Sequence, residues 1–261
     1  MRRVRKMRPW QETENNLANA RTEMTKRSRQ HLGSDIDGID ESFATLRDLM
    51  PKVFTTPESG KWGSHSSGIA MLLAWSFGRL VNAYRLLLEG YLSDAVVLVR
   101  AAWEGQWQLI AFDIEASQPS PKAVSKLHKW MQGQWVGPKD VREILEGHLP
   151  GGGKKLAHRY DVMSNLSHPA NIGAVQLQVE EVEGAGEKVM RFSLDGIQRP
   201  GVSDAILALI REQVLTLIGY VPLAFPHAVD DPDALDTWRR EMLVRHRQFE
   251  DARVPSPSEQ S

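Results

Sequence analysis

The sequence predicts a mainly α protein, a multi-helix bundle with one inserted β-hairpin. Two long apolar segments, 69–90 and 94–116, carry polar residues at helical spacing and are separated by only a few residues. This arrangement is typical of two packed antiparallel helices. The region 174–194 differs, because apolar and polar residues alternate on both sides of a Gly-Ala-Gly segment. That alternation predicts two antiparallel strands.

The other elements follow from helical periodicity and from helix-stop signals. We predict helices over 11–32 and 35–50, the second stopped by Pro51, since the residue before a proline disfavours helical geometry. Residues 54–64 have the composition of a loop, and Gly90 is a typical helix end. Further helices are predicted over 122–134, 138–147, 154–167, 203–220 and 233–251.

Three parts of the chain are distinguished by charge and composition. Residues 1–33 form a basic N-terminal arm and helix, with nine Lys or Arg against three Glu between positions 2 and 29. This arm is either a contact for an anionic partner or a solvated helix start. Residues 34–228 form the helical core with the hairpin near 174–194. Residues 229–261 form a charged, exposed C-terminal helix and a tail predicted to be disordered.

The overall composition excludes several classes of protein. The 261 residues are 41% hydrophobic and 25% charged, as in soluble globular proteins, and the net charge of −1 creates no general attraction to nucleic acid or membranes. The absence of cysteine rules out disulfides, thiolate metal sites and a cysteine nucleophile. No apolar segment follows the basic N-terminus, so we expect a cytoplasmic protein with no membrane contact.

A charged pair interrupts the second of the two long apolar segments. Arg100, Glu104 and Gln108 lie four residues apart, so they share one helix face. A buried charge that loses its partner costs about 3–5 kcal/mol. We therefore predict that Arg100 and Glu104 are buried and that at least one bonds to a polar group on another helix. Such a pair either fixes helix register or belongs to a ligand pocket.

A second polar group stands at the end of the predicted helix 154–167. Ser164 and His168 are four residues apart, and Pro169 follows. The histidine either caps its own helix or acts as a general base or phosphate contact. Buried polar groups need partners, so we predict that His168 lies near Arg100 and Glu104 in one shared pocket.

Two sequence blocks carry a resemblance to a known family. They are Gly-Tyr-x-x-Asp-Ala-x-x-Leu-x-Arg-x-x-x-Glu at Gly90–Glu104 and Tyr-x-x-x-Ser-x-x-x-His-Pro at Tyr160–Pro169. Together they resemble a family of uncharacterised bacterial all-helical proteins, over residues 65–220. Related helical proteins occur in abortive-infection and toxin–antitoxin settings, so the resemblance implies a phage-defence context. Matched residue by residue, it points to a polar pocket of Arg100, Glu104, Ser164 and His168.

Two functional classes stay open. The first is a binding or interaction protein whose partner is a second copy of the chain, another protein or RNA. The alternative is a metal-independent ribonuclease of the helical defence type, which uses an arginine followed a few residues later by a histidine. The candidates for this spacing are Arg142 with His148, and Arg240 or Arg239 with His246.

Other site types lack their sequence signals. There is no P-loop, no zinc-protease motif and no nucleophile elbow, so no cofactor, metal or catalytic residue is assigned. Eight tryptophans are many for this length. Trp75, Trp103 and Trp107 fall in the two long helices and are expected to pack in the core. Trp62, Trp130 and Trp135 border loops and are candidates to line a pocket or an interface.

Overall fold

The computed structural model describes residues 9–33, 35–55, 64–117, 126–148, 150–167, 179–184, 187–192 and 200–253. The chain is mainly helical, as the sequence predicts. A 3₁₀ turn covers Pro226–Ala228. The helices are α1 (Pro9–Leu32), α2 (Asp35–Val53), α3 (His65–Leu88), α4 (Leu92–Ser117), α5 (Lys126–Met131), α6 (Pro138–His148), α7 (Gly152–Ser167), α8 (Pro200–Ala224) and α9 (Pro232–Arg253).

Two short strands lie between α7 and α8. Strand β1 (Val179–Gly184) pairs antiparallel with β2 (Glu187–Phe192), from Val179 opposite Phe192 to Gly184 opposite Glu187. The ends of the segment 174–194 lie outside the described residues. An inserted hairpin spanning that whole segment therefore stays a prediction.

Helices α3 and α4 form an antiparallel pair. Near the link between them, Tyr91 donates its backbone N–H to the carbonyl of Leu86 at 2.8 Å, and Gly90 donates to Leu87 at 3.1 Å. These two hydrogen bonds form the Schellman motif, which requires a residue with left-handed backbone geometry. Gly90 supplies it, with φ +80°. The predicted stop at Gly90 is confirmed. At the far end, the His65 ring lies 3.2 Å from the Asp113 carboxylate, as antiparallel helices require.

Helix α8 crosses the centre of the bundle and contacts α2, α3, α4 and α9. Its residues Ile210, Val214 and Ile218 are fully buried. Among the described helices, α8 alone is long and apolar enough to cross a membrane, judged by length and composition. A buried core helix satisfies the same criterion, and 61% of the apolar stretch of α8 is buried inside the bundle.

The predicted end of α2 before Pro51 is wrong, because the helix continues to Val53. Pro51 stands in the last turn, where the missing N–H removes a single intrahelical bond. Val53 is fully buried in the core. Burying such a side chain is worth about 1.5–3 kcal/mol, which offsets the local cost of continuing the helix.

The expectation of an exposed C-terminal helix is wrong for one face of α9. Met242, His246 and Phe249 are at most 5% exposed, and they recur at intervals of four and three residues. Trp238 on the same helix donates its indole N–H to Glu41 of α2 at 2.7 Å. Helix α9 therefore belongs to the bundle, although most of its residues are polar or charged.

The close approach of α3 and α4 generates a stability prediction. A Cβ at Gly105 would lie 2.6 Å from Ser76 Oγ and 2.7 Å from the Trp75 ring, so Gly105→Ala should lower the free energy of unfolding by about 1–3 kcal/mol. The control is Gly78→Ala in α3, where a Cβ meets no atom within 4 Å. It should raise stability by about 0.5–1 kcal/mol. Urea denaturation measures both, and equal effects would contradict the tight contact.

Candidate functional site

The Arg100 guanidinium is the centre of a polar cluster between α4 and α7. Its Nε donates to the Glu104 carboxylate at 3.0 Å, one turn along the same helix. Its Nη1 donates to Ser164 Oγ at 3.1 Å, and its Nη2 donates to the phenol oxygen of Tyr160. Each nitrogen of the guanidinium thus bonds to a different side chain. We call Arg100, Glu104, Tyr160 and Ser164 the arginine cluster.

Tyr160 holds Arg100 in two ways. Besides accepting a hydrogen bond, its ring lies 4.4 Å from the guanidinium carbon, which is cation–π distance. A second guanidinium, Arg142 of α6, lies 5.9 Å from the same ring. The Arg142 Nε is buried and has no hydrogen-bond partner within the described part of the chain. Tyr160 is therefore shared between two arginines from different helices.

The predicted bond from Arg100 to another helix is confirmed. The predicted burial is met only in part, because the side chains of Arg100 and Glu104 are 22% and 36% exposed. The structure also brings Ser164 into the cluster. His168 lies outside the described residues, so its predicted closeness to Arg100 stays a prediction. Tyr160 was not assigned a role, although it opens the same sequence block.

An apolar groove adjoins the arginine cluster and has a volume of about 600 Å³. It shares Glu104 with the cluster. Two of its tryptophans are exposed to solvent, Trp75 by 42% and Trp135 by 86%. We call it the tryptophan groove, and its principal lining residues are Phe54, Trp75, Glu104, Gln108, Trp130 and Trp135.

The exposed Trp135 projects from an anchored loop between α5 and α6. Its neighbour Val136 is buried, and the Val136 carbonyl accepts a hydrogen bond from Gln108 at 3.4 Å. A narrower cleft, lined by Glu104, Trp135, Arg142 and others, joins the groove to Tyr160. One continuous surface therefore runs from an aromatic end to a cationic end.

The structure gives separate contacts for the arginines and histidines of the ribonuclease alternative, including Arg239, which donates to Asp236 at 3.3 Å. His148 bonds through Nδ1 to the carbonyl of Ile144 at 2.8 Å and is exposed at the end of α6, while Arg142 is turned towards Tyr160. Arg240 is 76% exposed and pairs with Asp236, whereas His246 is buried.

His246 lies in a desolvated environment. Burial lowers the pKa of its imidazole, and the nearby Arg211 and Arg247 act in the same direction, while Glu250 and Glu212 oppose the shift. Among the residues with described positions, none bonds to the Nδ1 of His246. The fold therefore favours the neutral ring.

No protein-family model, curated protein or solved structure matches this chain. Among the described residues, no group of three or more His, Asp or Glu is arranged to hold a metal ion. The resemblance to uncharacterised bacterial helical proteins stays a prediction.

The contacts of Tyr160 predict strong energetic coupling to Arg100. In a double-mutant cycle, Arg100→Met with Tyr160→Leu should show a coupling of about 1–3 kcal/mol in urea denaturation. With Tyr160→Phe the coupling should be smaller, because only the hydrogen bond differs. The matched control is the exposed pair Arg21 and Tyr91, which has the same two contacts, at 3.4 Å and 5.8 Å. Equal coupling energies in the two pairs would contradict the prediction, because they would show that burial does not strengthen the contact between Arg100 and Tyr160.

The lowered pKa of His246 predicts an acid-sensitive fold. As pH falls below about 6.5, the ordinary pKa of histidine, the unfolded chain binds a proton that the folded chain refuses. Stability should therefore fall between pH 7 and pH 5. In His246→Gln the slope should be shallower by up to about 1.4 kcal/mol per pH unit. His148→Gln, at an exposed helix end, is the control and should leave the slope unchanged. An unaltered slope in His246→Gln would contradict the prediction.

Proposed function

We propose that this chain is a binding protein and that the tryptophan groove with the arginine cluster is its binding surface. The ligand has a flat aromatic ring next to an anionic group, as a nucleotide in single-stranded RNA has. The observation that carries the proposal is Trp135, which is 86% exposed and lines both the groove and the adjoining cleft that contains Arg142.

The aromatic end of the surface suits a stacked ring. Leaving a large indole in water forfeits the free energy of burying it, and an exposed apolar patch beside a groove typically marks a binding site. Trp75 and Trp135 contribute two exposed rings to one groove, and stacking of a base on an aromatic ring is worth about 1–3 kcal/mol.

The cationic end of the surface suits a phosphate. Glu104 neutralises Arg100 in part, but Arg142 has a buried Nε that bonds to none of the described residues. A guanidinium beside an aromatic cleft recognises phosphate oxygens through directed hydrogen bonds.

The wider predictions stay proposals. A cytoplasmic location, a phage-defence context and a homodimeric or protein partner rest on composition or on the family resemblance. The metal-independent ribonuclease stays an alternative, although the positions of Arg142 with His148 and of Arg240 with His246 do not favour it.

The proposal is tested by fluorescence anisotropy with a labelled single-stranded oligoadenylate RNA. Trp135→Ala should weaken binding by about 5- to 150-fold, the equivalent of one stacked base. It should leave the free energy of unfolding within about 0.5 kcal/mol, because the side chain is exposed. Arg142→Met should weaken binding and reduce its salt dependence, because one phosphate contact is lost.

The control variant is Leu223→Ala, which truncates another apolar side chain, 78% exposed and outside the groove. It should bind the RNA like the unmodified protein. Equal affinities of the Trp135 and Leu223 variants, or no binding of RNA at all, would overturn the proposal. Cleavage of the RNA on a denaturing gel, lost in Arg142→Met, would instead favour the ribonuclease.

A further inference from the structure

A second cavity lies between the first turns of α2 and the facing sides of α8 and α9. Its volume is about 440 Å³, and it shares no residue with the tryptophan groove. Charged side chains from all three helices line it. The residues that matter are Asp35, Asp37, Glu41, Arg211 and Arg245.

Arg211 stands at the base of this cavity. It belongs to the central helix α8 and is only 3% exposed, yet none of the residues that the structure describes bonds to its Nε. Burial lowers the pKa of Arg211, although the carboxylates of Asp35 and Glu41 oppose the shift. A buried charge normally requires both an ion-pair partner and satisfied hydrogen bonds. Arg211 has nearby opposite charge without the bonds.

Gly38 on α2 makes room for this arginine. A Cβ at Gly38 would lie 2.8 Å from Arg211 Nη2, so any larger residue would displace the guanidinium. The same arrangement occurs elsewhere in the bundle, where Arg239 lies 2.9 Å from the Cβ position of Gly219. Arg239, however, donates to Asp236 at 3.3 Å. The two sites therefore differ in whether the arginine has an acceptor.

The mouth of the cavity carries the opposite charge. Asp35 and Asp37 stand in the first turn of α2, and Glu41 follows one turn later. Glu41 is held by the indole of Trp238 at 2.7 Å and lies 4.0 Å from Arg245. The cavity thus has a buried cation at its base and an acidic edge in solvent.

We propose that this cavity binds a small zwitterion, with its oxyanion on Arg211 and its ammonium group near Asp35 and Asp37. A simple anion would gain Arg211 but would meet the carboxylates of Asp35 and Asp37 at the mouth, since Arg245 lies beside Glu41. A simple cation would find the carboxylates but would leave Arg211 without an acceptor. Only a ligand with both charges satisfies the two ends, since each charge then lies beside its opposite.

The test measures thermal unfolding of the full chain with matched probes. 4-Aminobutanoate, 5-aminopentanoate, 6-aminohexanoate and L-lysine carry both charges with a carboxylate, and phosphoethanolamine carries a phosphate instead. Pentanoate, pentylamine and inorganic phosphate each carry charge of one sign only. At least one zwitterion should raise Tm in a saturable way, by about 5–10 °C at a hundred times its dissociation constant. If no zwitterion does so, or if a single-charge probe does equally well, the proposal is overturned.

Two variants assign the binding to this cavity. Arg211→Met should keep or raise Tm without probe, because an apolar side chain removes the burial cost of the charge. It should also weaken binding of the zwitterion that raises Tm by at least about tenfold. Asp37→Asn, at an exposed position in the first turn of α2, should lower Tm only slightly and should weaken binding of the zwitterion by about two- to fivefold.

The matched control is Arg239→Met, which removes the comparable arginine over Gly219 and should leave probe binding intact. A second readout is the Arg211 Nε–H resonance in ¹⁵N-labelled protein, identified by its loss in Arg211→Met, which should shift when the zwitterion is added. If Arg211→Met does not fold, the affinity of Asp37→Asn for the zwitterion decides the result. Binding that survives both the Arg211 and Asp37 variants would overturn the proposal.

Discussion

The close contact between α3 and α4 is the constraint on which the candidate site depends. Gly105 lets α4 approach until its backbone meets Ser76 and the Trp75 ring. That approach sets Trp75 beside Glu104 on the wall of the tryptophan groove. Arg100, one turn before Glu104, then faces α7 and reaches Tyr160 and Ser164. The aromatic and cationic ends of the site are thus positioned by one helix pair.

The bundle contains two arginines that differ in how their charge is satisfied. Arg100 bonds to three side chains and contacts an aromatic ring, so it is held in a single geometry. Arg211 is more deeply buried, and its Nε has no hydrogen-bond partner among the described residues. A buried guanidinium with unsatisfied hydrogen bonds reduces stability, and proteins retain such costs where function requires them. The bonds of Arg100 therefore account for how α4 and α7 are held together. The unsatisfied Nε of Arg211 instead suggests that a ligand binds there.

The helix pair and the polar contact of Arg100 could be predicted from the sequence, because few arrangements satisfy the sequence patterns that predict them. The antiparallel pair was predicted from two apolar helical segments joined at Gly90, and a short link leaves helices little choice but to pack side by side. A bond from Arg100 or Glu104 to a polar group on another helix was expected because charged groups in an apolar bundle must find partners, and the family resemblance pointed to Ser164. Tyr160 was missed because a tyrosine at a helical position is as compatible with core packing as with a polar contact.

Local signals failed where tertiary burial outweighed them. Pro51 is a strong stop signal, yet the burial of Val53 carries α2 past it. The charged composition of α9 concealed an apolar stripe through Met242 and Phe249, which packs into the same core as the central helix. One buried side chain decided the end of α2 and three decided the packing of α9, and composition averages over such small sets.

The sequence by itself determined the helical class, the central helix pair, and a polar group that needed partners inside the bundle. The helical class and the helix pair depend on periodicity, which is a property of the sequence alone. The need for polar partners depends on the cost of burying charge, which applies whichever helix supplies the partner. Only the tertiary structure decided that Trp135 faces water beside a groove, that Tyr160 joins two arginines, and that Arg211 closes a charged cavity. Cavities and shared contacts arise where several helices meet, so they depend on helix crossings that no local pattern specifies.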